Sequence, residues 1–242
     1  MLKFLRGGFM LEYIDSFLKK TKILKLKDLA NTIYENRVFL VCVDVLNGFC
    51  KEGKLASPLI FEIVEPIAKL TSLFLAEGFL AENLIFLNDS HLEDAVEFKV
   101  FPPHCIRGSK EAALVDELKQ YMSISRIFLK NSLTAIFSKN KDGEFFFEFL
   151  KNQFLQGKCV FLVVGDCTDL CIYHNAMAIK LYANELNFDI DVVVSLKHVR
   201  TYDLKVQEAL KSGVYAHEGE FFHKVFLYHM ALNGIEIVLD IE

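Results

Sequence analysis

Cys171 stands in VFLVVGDCTDLCIYHNAMA, where an apolar run ends at Gly165 and a helix-like pattern starts near Thr168. A cysteine in the first turn of such a helix meets free N–H groups and the positive end of the helix dipole, which favour a thiolate. The same N–H groups can hold an oxyanion. Thr168 or Asp169 is placed to cap the helix. Cys171 is therefore a candidate nucleophile, although a buried apolar cysteine on a core-facing helix has the same pattern. Cys167, four residues earlier, shares its face, and His174 lies one turn on. A metal site built on these two cysteines would lack a second cysteine pair. A separate cluster runs through NDSHLEDAVEFKVFPPHCIRG, in which Asp89 and His91 are two apart and His104 follows in PPHC. One carboxylate and two imidazoles suit a divalent transition metal with open positions. Glu93 and Cys105 are alternative ligands in the same stretch.

These residues need elements to place them. Runs at 38–44, 84–88, 126–129, 160–164, 190–195 and 235–239 are mostly unbroken Val, Ile, Leu and Phe. Runs without alternation mark strands buried on both faces, as in a parallel sheet. Helix-like spacing fills the intervals at 58–77, 109–121, 143–155, 168–183, 202–212 and 218–232. The alternation predicts a doubly wound α/β fold: a mainly parallel six-stranded sheet with helices on both faces, a three-layer Rossmann-like arrangement. Asp44, Asp89, Lys130 and the segment from Gly165 to Cys171 each fall at or just after a strand's C-terminal end. Ligand crevices of open α/β sheets lie outside those ends, so all four are expected on one rim. Residues 1–36 precede the first long strand and predict a helical extension, with Ile14, Phe17, Leu18, Leu24, Leu26 and Leu29 at helical spacings. Residues 37–242 form the main domain.

The pattern G-x-x-T-D-x-C between a buried strand and a helix resembles the nucleophile signature of the isochorismatase-like cysteine hydrolases, and within them the nicotinamidases. The resemblance covers about residues 37–240. It implies a cis peptide between Asp166 and Cys167, with the N–H groups of Cys167 and Cys171 as the oxyanion hole. VCVDVLNGFC matches the first strand of the family, which makes Asp44 the general acid/base and sets Phe49 against the substrate ring. That role suits a thiol that must lose a proton and an ammonia that must gain one. RIFLKNSLTAIF places Lys130 as the third member of an Asp-Lys-Cys triad, where a cation lowers the thiol pKa. Phe137, in the same stretch, is assigned to the pocket wall. D-x-H followed by P-x-H-C resembles the metal site of nicotinamidases, with Asp89, His91 and His104 as ligands and Phe101 flanking the ring. The implied cofactor is one divalent ion, zinc first, with manganese or iron as alternatives. The implied substrate is nicotinamide, hydrolysed through a cysteine thioester in NAD salvage. Another amide or vinyl-ether hydrolase of the superfamily, or a non-catalytic binding protein on the same fold, are the competing expectations.

Composition narrows the partners. The chain has 242 residues, 52% hydrophobic and 24% charged, enough to bury the core of one domain. Its net charge of −5, with Lys and Arg dispersed, points away from nucleic acid. No apolar run approaches the ~20 residues of a membrane span, and the N-terminal residues lack a signal-peptide pattern. A cytoplasmic protein without a membrane partner is expected, with a homo-oligomer left open. Six irregularly spaced cysteines do not suggest a disulfide framework.

Overall fold

The computed structural model describes residues 2–32 and 37–242. Residue 1 and residues 33–36 of the expected extension lie outside the described residues. The chain opens with helix α1 (Leu2–Leu18), strand β1 (Ile23–Leu24) and helix α2 (Leu26–Thr32). The main sheet is built from β2 (Val38–Val43), β3 (Leu84–Asp89), β4 (Arg126–Lys130), β5 (Val160–Asp166), β6 (Asp191–Arg200) and β7 (Glu236–Val238). Their order is β4-β3-β2-β5-β6-β7, and every adjacent pair is parallel. β2, β3 and β5 are buried along their whole length, as expected of unbroken apolar runs. The order reverses between β2 and β5, which makes their C-terminal ends the switch point where a crevice opens.

Side-chain alternation divides the core into two layers. Phe39, Val41, Phe161 and Val163 face one layer, which is covered by α7 (Phe146–Leu155), α8 (Tyr173–Glu185) and α10 (Gly219–Leu232). Leu40, Cys42, Leu162 and Val164 face the other, covered by α3 (Asn47–Cys50), α4 (Pro58–Phe61), α5 (Val64–Ala76) and α6 (Asp116–Lys119). The remaining elements are α9 (Val206–Ser212) and β8 (Asp240–Ile241). The N-terminal elements join both layers. Ile14 and Leu18 of α1 enter the first, and Leu26 of α2, fully buried, enters the second. Phe17 meets Tyr228 of α10 edge-on. β1 pairs in parallel with β8, so Leu24 is part of a strand and not of a helix.

Three helices are shorter than their apolar spacing suggests. The stretch expected as helix over 109–121 is helical only over Asp116–Lys119. Its upstream backbone is used elsewhere: Ile106 bridges to His91 and Leu114 to Leu46. These cross-links steer residues 102–115 over the sheet rim. The helix expected over 202–212 starts at Val206, because Leu204 forms an antiparallel bridge with His217. The helix over 58–77 is broken between Phe61 and Val64. Among the described residues, no helix is long and apolar enough to cross a membrane.

Candidate active site

The nucleophile segment leaves β5 through Gly165. This residue has φ +123°, and a Cβ there would stand 1.9 Å from the Val43 carbonyl oxygen. Only glycine satisfies both the left-handed backbone and that close approach. The next peptide, Asp166–Cys167, is cis, as the family resemblance implies. Residues Thr168–Ile172 then form a single π-helical turn that runs into α8. Such turns recur at functional sites, and this one carries Cys171, 5% exposed. The capping expected of Thr168 or Asp169 is not found. Thr168 Oγ1 pairs instead with His223 Nδ1 at 2.8 Å, and Asp169 Oδ2 with His217 Nε2 at 2.7 Å. Both side chains thus hold the turn from its far side. Asn175 holds it from the near side, donating to the Cys171 carbonyl at 2.7 Å and accepting from the Ala135 N–H at 2.7 Å.

Lys130 is fully buried. Its Nζ lies 3.4 Å from Cys171 Sγ and 2.7 Å from Asp44 Oδ2, and it pairs closely with Asp89 Oδ1. Sγ and one oxygen from each of Asp44 and Asp89 all lie within 4.8 Å of one another. Asp44 has φ +55°, a left-handed conformation that aspartate tolerates better than most residues. Its Oδ1 accepts the Asp89 N–H at 2.7 Å. The electrostatics assign the charges. Burial works against the Lys130 ammonium, but Asp44 and Asp89 outweigh it and hold it charged, well above the ordinary lysine range. Burial also opposes the Asp89 carboxylate, yet Lys130 and the two imidazoles keep it ionised, well below the usual range. Burial and then Asp89 push Asp44 up to about 6, against the pull of Lys130. Burial pushes the Cys171 thiol up, with Lys130 opposing. A protonated thiol thus faces a carboxylate with raised proton affinity, an arrangement for passing one proton between them.

The metal-type cluster adjoins this group. Asp89 Oδ2 lies 3.4 Å from His91 Nε2 and 3.7 Å from His104 Nε2. The ring partners set both tautomers. His91 Nδ1 is 3.3 Å from Asn131 Oδ1, an oxygen that also accepts the Leu92 N–H. His104 Nδ1 is 2.8 Å from the Pro102 carbonyl. Each ring therefore donates from Nδ1 and turns Nε2 inward toward Asp89, the posture of a metal-bound histidine. His91 Nε2 is buried and makes no hydrogen bond. Three donors converging around an unpaired nitrogen fit a divalent cation. Of the alternative ligands, Glu93 is exposed, and Cys105 Sγ is directed to the Glu111 carbonyl at 3.6 Å. Glu97 is the carboxylate that approaches, 4.0 Å from His91 Nε2.

A small cavity of about 30 Å³ adjoins both groups, lined by Phe49, Phe101, Leu133 and Leu170 together with Asp89, His104 and Cys171. Phe49 and Phe101 meet the His104 ring edge-on at 5.4 and 6.4 Å. Phe137 does not join them. It is 74% exposed and packs on Phe147, because the loop after β4 turns Leu133 inward and leaves Phe137 outside. His174 is exposed as well. Leu133, Leu170, Glu97, Asn131 and Asn175 carry no sequence signal of a site: each becomes part of it only through the fold. Asp166, another lining residue, stands out in the sequence only as one end of the implied cis peptide.

The isochorismatase domain model matches residues 38–195. The chain is 34% identical to Nicotinamidase 1 of Arabidopsis thaliana over 222 residues, covering 86% of this chain and 88% of that one. It is 27% identical to the nicotinamidase/pyrazinamidase of Mycobacterium tuberculosis over 148 residues, covering 57% and 75%. Its fold is similar to that of the pyrazinamidase of Pyrococcus horikoshii in complex with zinc, with a TM-score of 0.60 at 19% identity, covering 84% and 99%. The sheet order, the turn at Cys171 and these matches agree that the chain belongs to the isochorismatase family of hydrolases.

Proposed function

We propose that this protein is a nicotinamidase, converting nicotinamide and water to nicotinate and ammonia through a thioester on Cys171. The observation that carries this is Lys130 Nζ, held between Asp44 and Asp89 and 3.4 Å from Cys171 Sγ. Asp44 takes the thiol proton, and sulfur attacks the carboxamide carbon. The oxyanion is assigned to the N–H groups of Cys167, just before the nucleophile turn, and Cys171, within it. Asp44 then returns its proton to the nitrogen as the C–N bond breaks and ammonia leaves. A water deprotonated by Asp44 attacks the thioester, releasing nicotinate and restoring the thiol. Lys130 steadies the negative charge that moves among these groups. Phe49 and Phe101 hold the ring by its faces and edges.

Asp89, His91 and His104 would hold the divalent ion, and the zinc in the structural neighbour supports zinc here. In that place an ion would supply Lewis-acid binding for a ring nitrogen, while Phe49 and Phe101 beside His104 orient the ring relative to Cys171. Six unpaired thiols support a reducing compartment, the cytoplasm, and nicotinate as product supports a role in pyridine nucleotide salvage. The test is ammonia release from nicotinamide by the purified protein and by Cys171→Ala. Wild-type turnover is expected, with a loss of at least about 10³-fold in the variant. Ammonia release by Cys171→Ala at the wild-type rate would falsify the mechanism.

A further inference from the structure

Asp166 is a buried carboxyl for which the mechanism above has no use. It is 1% exposed, it lines the cavity beside Cys167 and Cys171, and its Oδ2 has no hydrogen-bond partner. Its Oδ1 lies 4.0 Å from the Cys167 thiol, a weak contact. Strand register fixes where this group stands. Val43 and Gly165 are paired, so Asp44 and Asp166 are the next residues on the two strands that flank the switch point. Asp166 is therefore at the reacting end of the cavity, away from the aromatic wall around His104. An unpaired buried oxygen costs free energy unless a ligand group meets it.

The substrate has a group to offer. In the proposed reaction the carbonyl oxygen points to two backbone N–H groups, and sulfur approaches the carbon beside Asp44. The carboxamide –NH2 still carries two N–H donors that need acceptors in this buried site. Building on the nicotinamidase reading, we propose that Asp166 is a specificity-determining residue that accepts a hydrogen bond from the carboxamide –NH2 and so selects primary amides over esters of the same ring. Burial, and then the charge of Asp44, push its carboxyl well above the usual range against the pull of Lys130. These surroundings favour its neutral form. Its carbonyl oxygen accepts an N–H without setting a further negative charge against the attacking sulfur. A site built around such a bond discriminates strongly against an analogue that lacks the donor.

The test compares kcat/KM for nicotinamide and methyl nicotinate in the metal-loaded wild-type enzyme, Asp166→Asn and Asp166→Leu. Asp166→Leu is expected to lower the amide-to-ester ratio by about tenfold, the scale of one lost hydrogen bond. Asp166→Asn keeps a carbonyl acceptor in place and is expected to hold the ratio within about threefold of wild type. Should Asp166→Leu not fold, Asp166→Ala reads the same ratio. Equal losses on amide and ester would reveal a merely structural residue and overturn the proposal, as would an unchanged ratio. A wild-type enzyme that released no ammonia from nicotinamide would instead sink the nicotinamidase reading, and this inference with it.

Discussion

The nucleophile half and the metal half of the site share one carboxylate and differ in what they lack. Asp89 gives Oδ1 to Lys130 and turns Oδ2 toward His91 and His104. The nucleophile half carries its own cation, the buried Lys130, between two carboxylates. The metal half gathers three donors and leaves His91 Nε2 unpaired. One half is electrostatically finished when the chain folds; the other is finished by a ligand. Damage to the first is therefore expected to reach the fold, and damage to the second to reach mainly ligand loading.

The hardest test of that contrast is Lys130→Met. It strands Asp44 and Asp89 in the interior without a counter-charge, and losing one partner of a buried ion pair costs about 3–5 kcal/mol. A large fall in the urea midpoint is expected, together with loss of turnover by at least about 10³-fold. An unchanged midpoint would erase the distinction between the halves. His104→Gln comes next. Bound metal, measured by elemental analysis, is expected to drop from about one ion per chain to a small fraction. Its midpoint in chelator should fall less than that of Lys130→Met.

Two histidines away from the metal cluster sharpen the comparison, because burial is the main force keeping them uncharged. His198 and His223 are each lowered to about 4, chiefly by desolvation. An unfolded histidine titrates near 6.5. Between those values the unfolded chain binds more protons, so stability falls as pH drops from about 6.5 toward 4. The loss approaches roughly 3 kcal/mol for each histidine. Urea midpoints from pH 7 to pH 4 should show this slope, and His223→Gln should flatten part of it. A midpoint as steeply pH-dependent in His223→Gln as in wild type would refute that assignment. The smallest effect is expected from Phe137→Ala, which changes a surface ring: kcat/KM within about twofold of wild type and stability within about 0.5 kcal/mol.

Much of this was readable in the sequence, for physical reasons particular to each element. The central strands announce themselves because both faces are buried, so no polar residue interrupts them. Asp89 and His91 are visible because adjacent ligands on one strand end must be two apart. Asp44, Lys130 and Cys171 fall at strand ends, which topology brings to one rim. What stayed hidden depends on paths that periodicity does not encode. The residues 102–115 have helical spacing in part, yet their backbone bonds are spent on bridges to β-rim residues, and those bridges deliver His104. Phe137 and Leu133 are both apolar residues on one loop, and only its turn decides which of them faces the cavity. Asp166 resembles a strand-end aspartate like any other until its neighbour's carboxylate and its unpaired oxygen are seen together.

The small sheet that joins β1 to β8 has its own consequence. The Glu242 N–H donates to the Leu24 carbonyl, and the Leu26 N–H to the Glu242 carbonyl, so residues more than two hundred positions apart are stitched together. While the chain emerges from the ribosome, Ile23 and Leu24 wait for more than two hundred further residues before their partner strand exists. Contacts of such long sequence separation are slow to form. Seating of β1 and α2 is thus a late event, and a polypeptide stalled before residue 240 would display Leu26 as uncovered apolar surface for chaperones to find.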